Sequence, residues 1–156
     1  MVGNYHVIDT LTKLNRDDKI LTDTFLQLGE KDRSVILFLY EFGKPIPAGD
    51  LARQLSLPHS TINSVIKRLE DKGYVNWKEY HFVELNQTSA KMAAHHLQHH
   101  NIIHHYFVHY LDLEDDEAHV EGQKVAGVLS CKTVKQMKKL LDCDLEPCFV
   151  YVEKKE

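Results

Sequence analysis

Seven of the eleven histidines fall between positions 95 and 109: His95, His96, His99, His100, His104, His105 and His109. On a helix, His96, His100 and His104 recur every fourth residue along one face, and His95 and His99 form a second stripe. Two imidazoles one turn apart have Cβ atoms about 5–6 Å from one another, which suits a bidentate clip for a metal ion. A surface helix ordinarily carries Lys and Glu at such positions, so this density of imidazole points to metal binding. Clustered imidazoles also titrate near neutrality and repel once charged, so a proton signal stays open as an alternative input. Haem, which accepts axial histidine, stays open too, although no fixed haem motif is present.

The elements that must position these rings follow from periodicity and breakers. Nothing between Thr88 and Leu111 interrupts a helix, so one long helix should carry the histidines. Two more are expected over 115–129 and 133–141, and a short β-like stretch at 148–152. Upstream, residues 5–28 read as one or two amphipathic helices, and residues 30–42 as another ended by Gly43. Lys44-Pro-Ile-Pro47 should be extended, because a proline disfavours helix before it. A short helix is expected over 50–55, a tight turn at Ser56-Leu-Pro58, and a helix from His59 to Lys72 capped by Gly73. The β-rich runs 74–77 and 81–85 read as a hairpin. The fold class is therefore mainly α with a small β-hairpin wing: a winged helix-turn-helix followed by a helical region. The expected division is 1–29 as an N-terminal helical extension, 30–86 as the winged helix, and 87–156 as a helical dimerisation and metal-binding domain.

A winged helix reads DNA when its second motif helix turns an apolar face inward and a polar face to the major groove. In 59–72 the apolar face is Ile62, Val65, Ile66 and Leu69. The other face offers His59, Ser60, Thr61, Asn63 and Ser64 for base edges and phosphates, and Lys67 and Arg68 for the backbone. The wing adds Lys78, Tyr80 and His81. Residues 44–81 hold six Lys or Arg against four Asp or Glu, a locally basic segment in a chain of net charge −4. Double-stranded DNA is the expected partner, with modest, salt-sensitive affinity per subunit. One winged helix buries little surface, so a homodimer on paired half-sites is expected. A protein-binding winged helix would not explain the polar cluster at the groove-facing end. A metal buffer would not explain the winged helix. No phosphate loop, His-Glu-x-x-His or nucleophile elbow is present, which argues against an enzyme. No apolar run approaches the roughly 18 residues of a membrane span, and the first residues lack the basic start and apolar stretch of a signal peptide, so a cytoplasmic protein is expected.

The stretch from Asp50 through Leu-Ala-Arg-Gln-Leu-Ser-Leu-Pro-His-Ser-Thr-Ile-Asn-Ser-Val-Ile-Lys-Arg-Leu-Glu-Asp-Lys-Gly-Tyr to Val75 resembles the segment shared by MarR-type and DtxR/MntR-type regulators. Leu85–Ala94 followed by His99-His100, Tyr110-Leu-Asp-Leu-Glu-Asp-Asp-Glu-Ala-His119, and Leu129-Ser130 extend the similarity to the DtxR/MntR family over residues 30–141. Gln87-Thr-Ser-Ala90 departs from that family's turn, and His99 stands where it has arginine. The first 29 residues look more like the N-terminal helix of MarR-type dimers, and the family's SH3-like C-terminal domain is not expected in this sequence. The resemblance implies a repressor with two metal sites. Its primary site falls on Gln123, Ala126 and Gly127, two of which have no ligating side chain, so that site is expected to be degenerate. Its ancillary site falls on His100, His104 and His119, with Glu121 near enough in sequence to add an oxygen. Such a set suits Zn²⁺, Ni²⁺, Co²⁺ or Cu²⁺, with Fe²⁺ intermediate and Mn²⁺ less suited. The alternative is a MarR-like regulator answering a non-metal ligand, redox or pH signal. Cys131, Cys143 and Cys148 are expected as thiols acting as small buried hydrophobes, with redox sensing the weaker reading.

Overall fold

The structure is a computed structural model that describes residues 23–78 and 82–141. It divides into two compact units, and the division falls between Ala93 and Ala94, inside the long helix.

The first unit holds α1 (Glu30–Phe42), β1 (Ile46–Pro47), α2 (Ala48–Gln54), α3 (His59–Asp71), β2 (Val75–Trp77), β3 (Phe82–Leu85) and the start of α4 (Gln87–Leu111). α1 ends at Gly43, whose left-handed φ of 76° lets its N–H reach the Leu39 carbonyl at 3.1 Å. α3 ends in a Schellman arrangement. Gly73 at φ 78° donates to Glu70 O, and Tyr74 N donates to Leu69 O, each at 2.9 Å. The turn then delivers the chain into β2 through Tyr74. Val75, Val83 and Leu85 are buried, as are Ile62, Val65, Ile66 and Leu69, in the core of this unit.

The sheet has three antiparallel strands in the order β1-β3-β2, with Ile46 opposite Val83 and Val75 opposite Leu85. The expected hairpin is therefore joined by a third strand from the Pro-Ile-Pro segment. Pro47 cannot donate to a ladder, and an edge strand is where that is tolerated. Asn86 starts α4: its Oδ1 accepts from Ser89 N at 3.0 Å, while Ser89 Oγ donates to Tyr74 O at 2.5 Å. These polar side chains cap the start of α4 and tie it to the residue before β2.

The second unit holds residues 23–26, which are helical, the rest of α4, α5 (Asp115–Val125) and α6 (Cys131–Leu140). Asp112, at φ 54°, breaks α4, and Asp115, Asp116 and Glu117 complement the dipole at the start of α5. Both later helices differ from expectation at their ends. α5 stops at Val125, four residues early, and α6 begins at Cys131, two early. Ser130 is the reason for the second, since its hydroxyl accepts from Thr133 N at 3.2 Å. Ile102, Ile103, Ala126, Val134 and Met137 form the core of this unit. No helix of the described residues is long and apolar enough to cross a membrane. The helices expected before residue 23, the wing tip with Tyr80 and His81, and the tail with Cys143 and Cys148 lie outside the described residues.

Candidate nucleic-acid interface and metal centre

α3 has the two faces that its sequence requires. Ile62, Val65, Ile66 and Leu69 are buried, while His59, Ser60, Asn63, Ser64 and Lys67 are exposed and Thr61 is half-exposed. The polar positions begin at the N-terminal turn, the part of a recognition helix that reaches base edges. His59 lies against α2: a Cβ built on Gly49 would stand 3.3 Å from its ring. Ser64 Oγ donates back to Ser60 O at 2.9 Å. On the wing, Lys78 is ion-paired with Glu84 across the strands.

Arg68 has a role that the sequence did not disclose. Its Nε donates to Oδ2 of Asp32 at 3.0 Å, and Nη2 donates to Oδ1. Asp32, on α1, is 2% exposed. The pair ties α3 to α1, so Arg68 is a structural clamp as well as a cation on the exposed side of α3. Lys67, one residue earlier, is exposed and forms no salt bridge among the described residues.

On α4 and α5, one ring nitrogen from each of His100, His104 and His119 lies within 4.8 Å of the other two. His100 Nε2 stands 3.4 Å from His119 Nδ1, and His104 Nε2 stands 3.0 Å from Asp115 Oδ1. His104 Nδ1 is buried without a hydrogen-bond partner. A ring held at one nitrogen by a carboxylate and open at the other is the arrangement in which metal-bound histidines are oriented. Gln123 Nε2 lies 3.3 Å from His119 Nε2. Rotation of that amide offers either its oxygen or its nitrogen, so Gln123 can orient His119 in either tautomer.

Burial pushes His100 down to about 4, helped by His119 and His104 and opposed by a backbone hydrogen bond with Gly122. Burial also lowers His119, with His104 adding to the effect and Asp115 and Asp116 opposing it. Both rings are thus neutral at neutral pH, with lone pairs available to a cation. Three imidazoles fit a tetrahedral transition ion with one further position.

Two expectations are corrected here. Glu121 does not join the group: its Oε1 pairs with Lys124 Nζ at 2.7 Å. Two residues past His119, it lies about 200° around α5, whereas Gln123, four past, returns to the same face. His96 does not extend the His100–His104 stripe, because its ring packs on Phe25 at 4.7 Å between centroids. Of the three positions read as a degenerate primary site, Gln123 lies against His119, and the other two are occupied by packing. Ala126 is part of the apolar core, and a Cβ on Gly127 would stand 2.8 Å from Leu26 Cδ2. Asp115 was missed as a partner of His104, since only the α4–α5 turn brings them together.

A helix pair with an inward apolar seam, a capped second helix and a three-stranded wing define a winged helix-turn-helix domain. Residues 30–76 match the family described as "MarR family", so this segment is similar to the helix-turn-helix of that family. A curated relative, an uncharacterized HTH-type transcriptional regulator (MJ0568) of Methanocaldococcus jannaschii, is 28% identical over 104 residues, 67% of this chain and 83% of its own length. The family and that relative carry the names of transcriptional regulators and not of enzymes.

Among solved structures, the hypothetical protein SSo2273 from Sulfolobus solfataricus aligns with a TM-score of 0.61 at 16% identity, over 74% of this chain and 90% of that one. The manganese regulator SloR aligns with a TM-score of 0.58 at 18% identity, over 70% of this chain and 52% of its own. This chain thus spans about half of SloR, and the likeness is one of fold.

Proposed function

We propose that this protein is a DNA-binding transcriptional regulator, a repressor acting as a homodimer on double-stranded DNA. The observation that carries the reading is the exposed polar face of α3, at 59–67, within the MarR-type segment. Specific binding should appear in a gel-shift selection from random duplexes. Affinity should fall as salt rises, because each phosphate contact releases counterions. Lys67→Ala should weaken all duplexes alike and reduce the salt slope by about 1 per subunit, whereas Asn63→Ala should cost about 1–3 kcal/mol at one base position only. Binding that is indifferent both to sequence and to these substitutions rules the reading out.

The finer reading is that His100, His104 and His119 hold a Zn²⁺-class ion, and that the protein is DtxR-like in its use of metal. The support is the gathering of three ring nitrogens within 4.8 Å, with Asp115 and Gln123 orienting two of them. Imidazole alone favours Zn²⁺, Ni²⁺, Co²⁺ or Cu²⁺ over Mn²⁺, which prefers oxygen. Elemental analysis of protein purified without chelator should find such a metal, and the His100→Ala/His104→Ala double variant should lose one equivalent. Undiminished uptake by that variant would sink the site. The MarR match equally supports a regulator answering a non-metal signal; a gel shift unchanged by metal addition and by chelator favours that second reading.

A further inference from the structure

α4 carries a second imidazole clip that the first group does not use. His95 and His99 are one turn apart and both buried, with ring centroids 4.4 Å from one another. Their partner is Cys131, the first residue of α6, whose Sγ lies 3.5 Å from His95 Nε2. One ligand atom from each of the three lies within 4.8 Å of the others. His99 and His100 are neighbours in sequence, so the two clips are about 100° apart around α4. One clip is completed from α5 and the other from α6.

We propose that His95, His99 and Cys131 form a second transition-metal site, for a borderline ion of the zinc class, distinct from the imidazole group. A hydrogen bond between the thiol and one ring would need His95 alone. The convergence of His99 on the same point makes three donors, two imidazoles and one sulfur. Burial holds His95 down at about 4, so its lone pair is available at neutral pH. Zn–S and Zn–N bonds of about 2.3 and 2.0–2.1 Å require donors some 3–4 Å apart, and Cys131 Sγ and His95 Nε2 already stand 3.5 Å apart. On binding, the cysteine sulfhydryl gives up its proton to solvent and the thiolate forms the metal–sulfur bond, so uptake releases one proton per ion. Its place at the start of α6 favours a negative ligand there. The fourth position is left to water or another ligand. This site would pin α6 to α4, and its occupancy would change how firmly the second unit is assembled.

The test is a Co²⁺ titration of the full-length chain, stripped of metal under reducing conditions, followed by absorption spectroscopy. A thiolate-to-cobalt charge-transfer band in the near ultraviolet should grow over one equivalent and vanish when Zn²⁺ displaces the cobalt. Imidazole ligands alone give no such band, so the His100→Ala/His104→Ala variant should keep it. Failure of the imidazole site therefore leaves this test intact. Cys131→Ser should abolish the band, and His99→Gln should abolish it or weaken binding at least tenfold. Cys143→Ser/Cys148→Ser should leave it unchanged. No band in the wild type, or a band that survives Cys131→Ser, overturns the proposal. Circular dichroism on each variant establishes that it is folded before its spectrum is read.

Discussion

Stripped of metal and unfolded with urea at a series of pH values, the protein is expected to lose stability steeply as pH falls from 6.5 towards 4. His95 and His100 are each depressed from 6.5 to about 4, both chiefly by burial. The unfolded chain takes up protons first, because its imidazoles titrate near 6.5 while the folded rings resist until about 4. Between those values the unfolded state binds more protons, so stability rises with pH. The stability these groups lend is fully present above 6.5 and lost through this window, with no further loss from them below about 4. Each ring contributes roughly 3 kcal/mol across the window, since one pKa unit is about 1.4 kcal/mol. Two such rings compare with a whole domain's stability of about 5–15 kcal/mol. The lowered His119 adds in the same direction. His100→Gln should flatten the dependence by about half, because an amide does not titrate. A urea midpoint that stays constant from pH 6.5 to 4 contradicts the burial on which this rests. Saturating Zn²⁺ should raise stability at the upper end of the range and lose its effect at the lower end, where protons compete for the same lone pairs.

The second large effect is expected at the clamp between α1 and α3. Arg68→Met removes the guanidinium that satisfies both oxygens of Asp32 and leaves a carboxylate buried without its partner. Breaking a buried pair from one side can cost 3–5 kcal/mol. The Arg68 side chain is 47% exposed, so solvent already screens part of the attraction. About 2–3 kcal/mol is expected, read from denaturant midpoints at unchanged m-value. Asp32→Leu/Arg68→Met should recover much of that, because removing both partners leaves no stranded charge. Lys67→Ala, one residue away, should move stability by less than about 0.5 kcal/mol while still weakening DNA binding. If Arg68→Met is as stable as Lys67→Ala, Arg68 is a surface cation and the clamp carries no weight. The distinction bears on function, since a loss of DNA binding in an Arg68 variant would otherwise be read as a lost phosphate contact.

Chelation and substitution at the two imidazole clips should have separable consequences. The groups share α4 but take their third donor from different helices, His119 on α5 and Cys131 on α6. Zinc-dependent protection that survives Cys131→Ser belongs to the first group, and protection that survives His100→Ala/His104→Ala belongs to the second.

What the sequence determined by itself is what repeats along one element. The two faces of α3 follow from a 3.6-residue period, with Ile62, Val65, Ile66 and Leu69 inward and His59 to Lys67 outward. Gly43 and Gly73 stop their helices because few other residues adopt φ near +77° without strain, and that too is local. The imidazole pairs on α4 were legible for the same reason, as rings one turn apart. His119 entered as their partner through resemblance and not through spacing.

What only the tertiary structure decided is which separate elements meet. A two-residue strand at Ile46–Pro47 has too little pattern to be read before β3 is seen beside it. Asp32 looked like an ordinary acid in the first turn of α1 until folding set it against Arg68, 36 residues on. Glu121 was placed near His119 by sequence distance, and helical rotation carried it to the other side. Cys131 looked like a small hydrophobe because its partners stand 32 and 36 residues earlier. A helix fixes only the direction in which its side chains leave; the packing of α4, α5 and α6 decides what each of them finds.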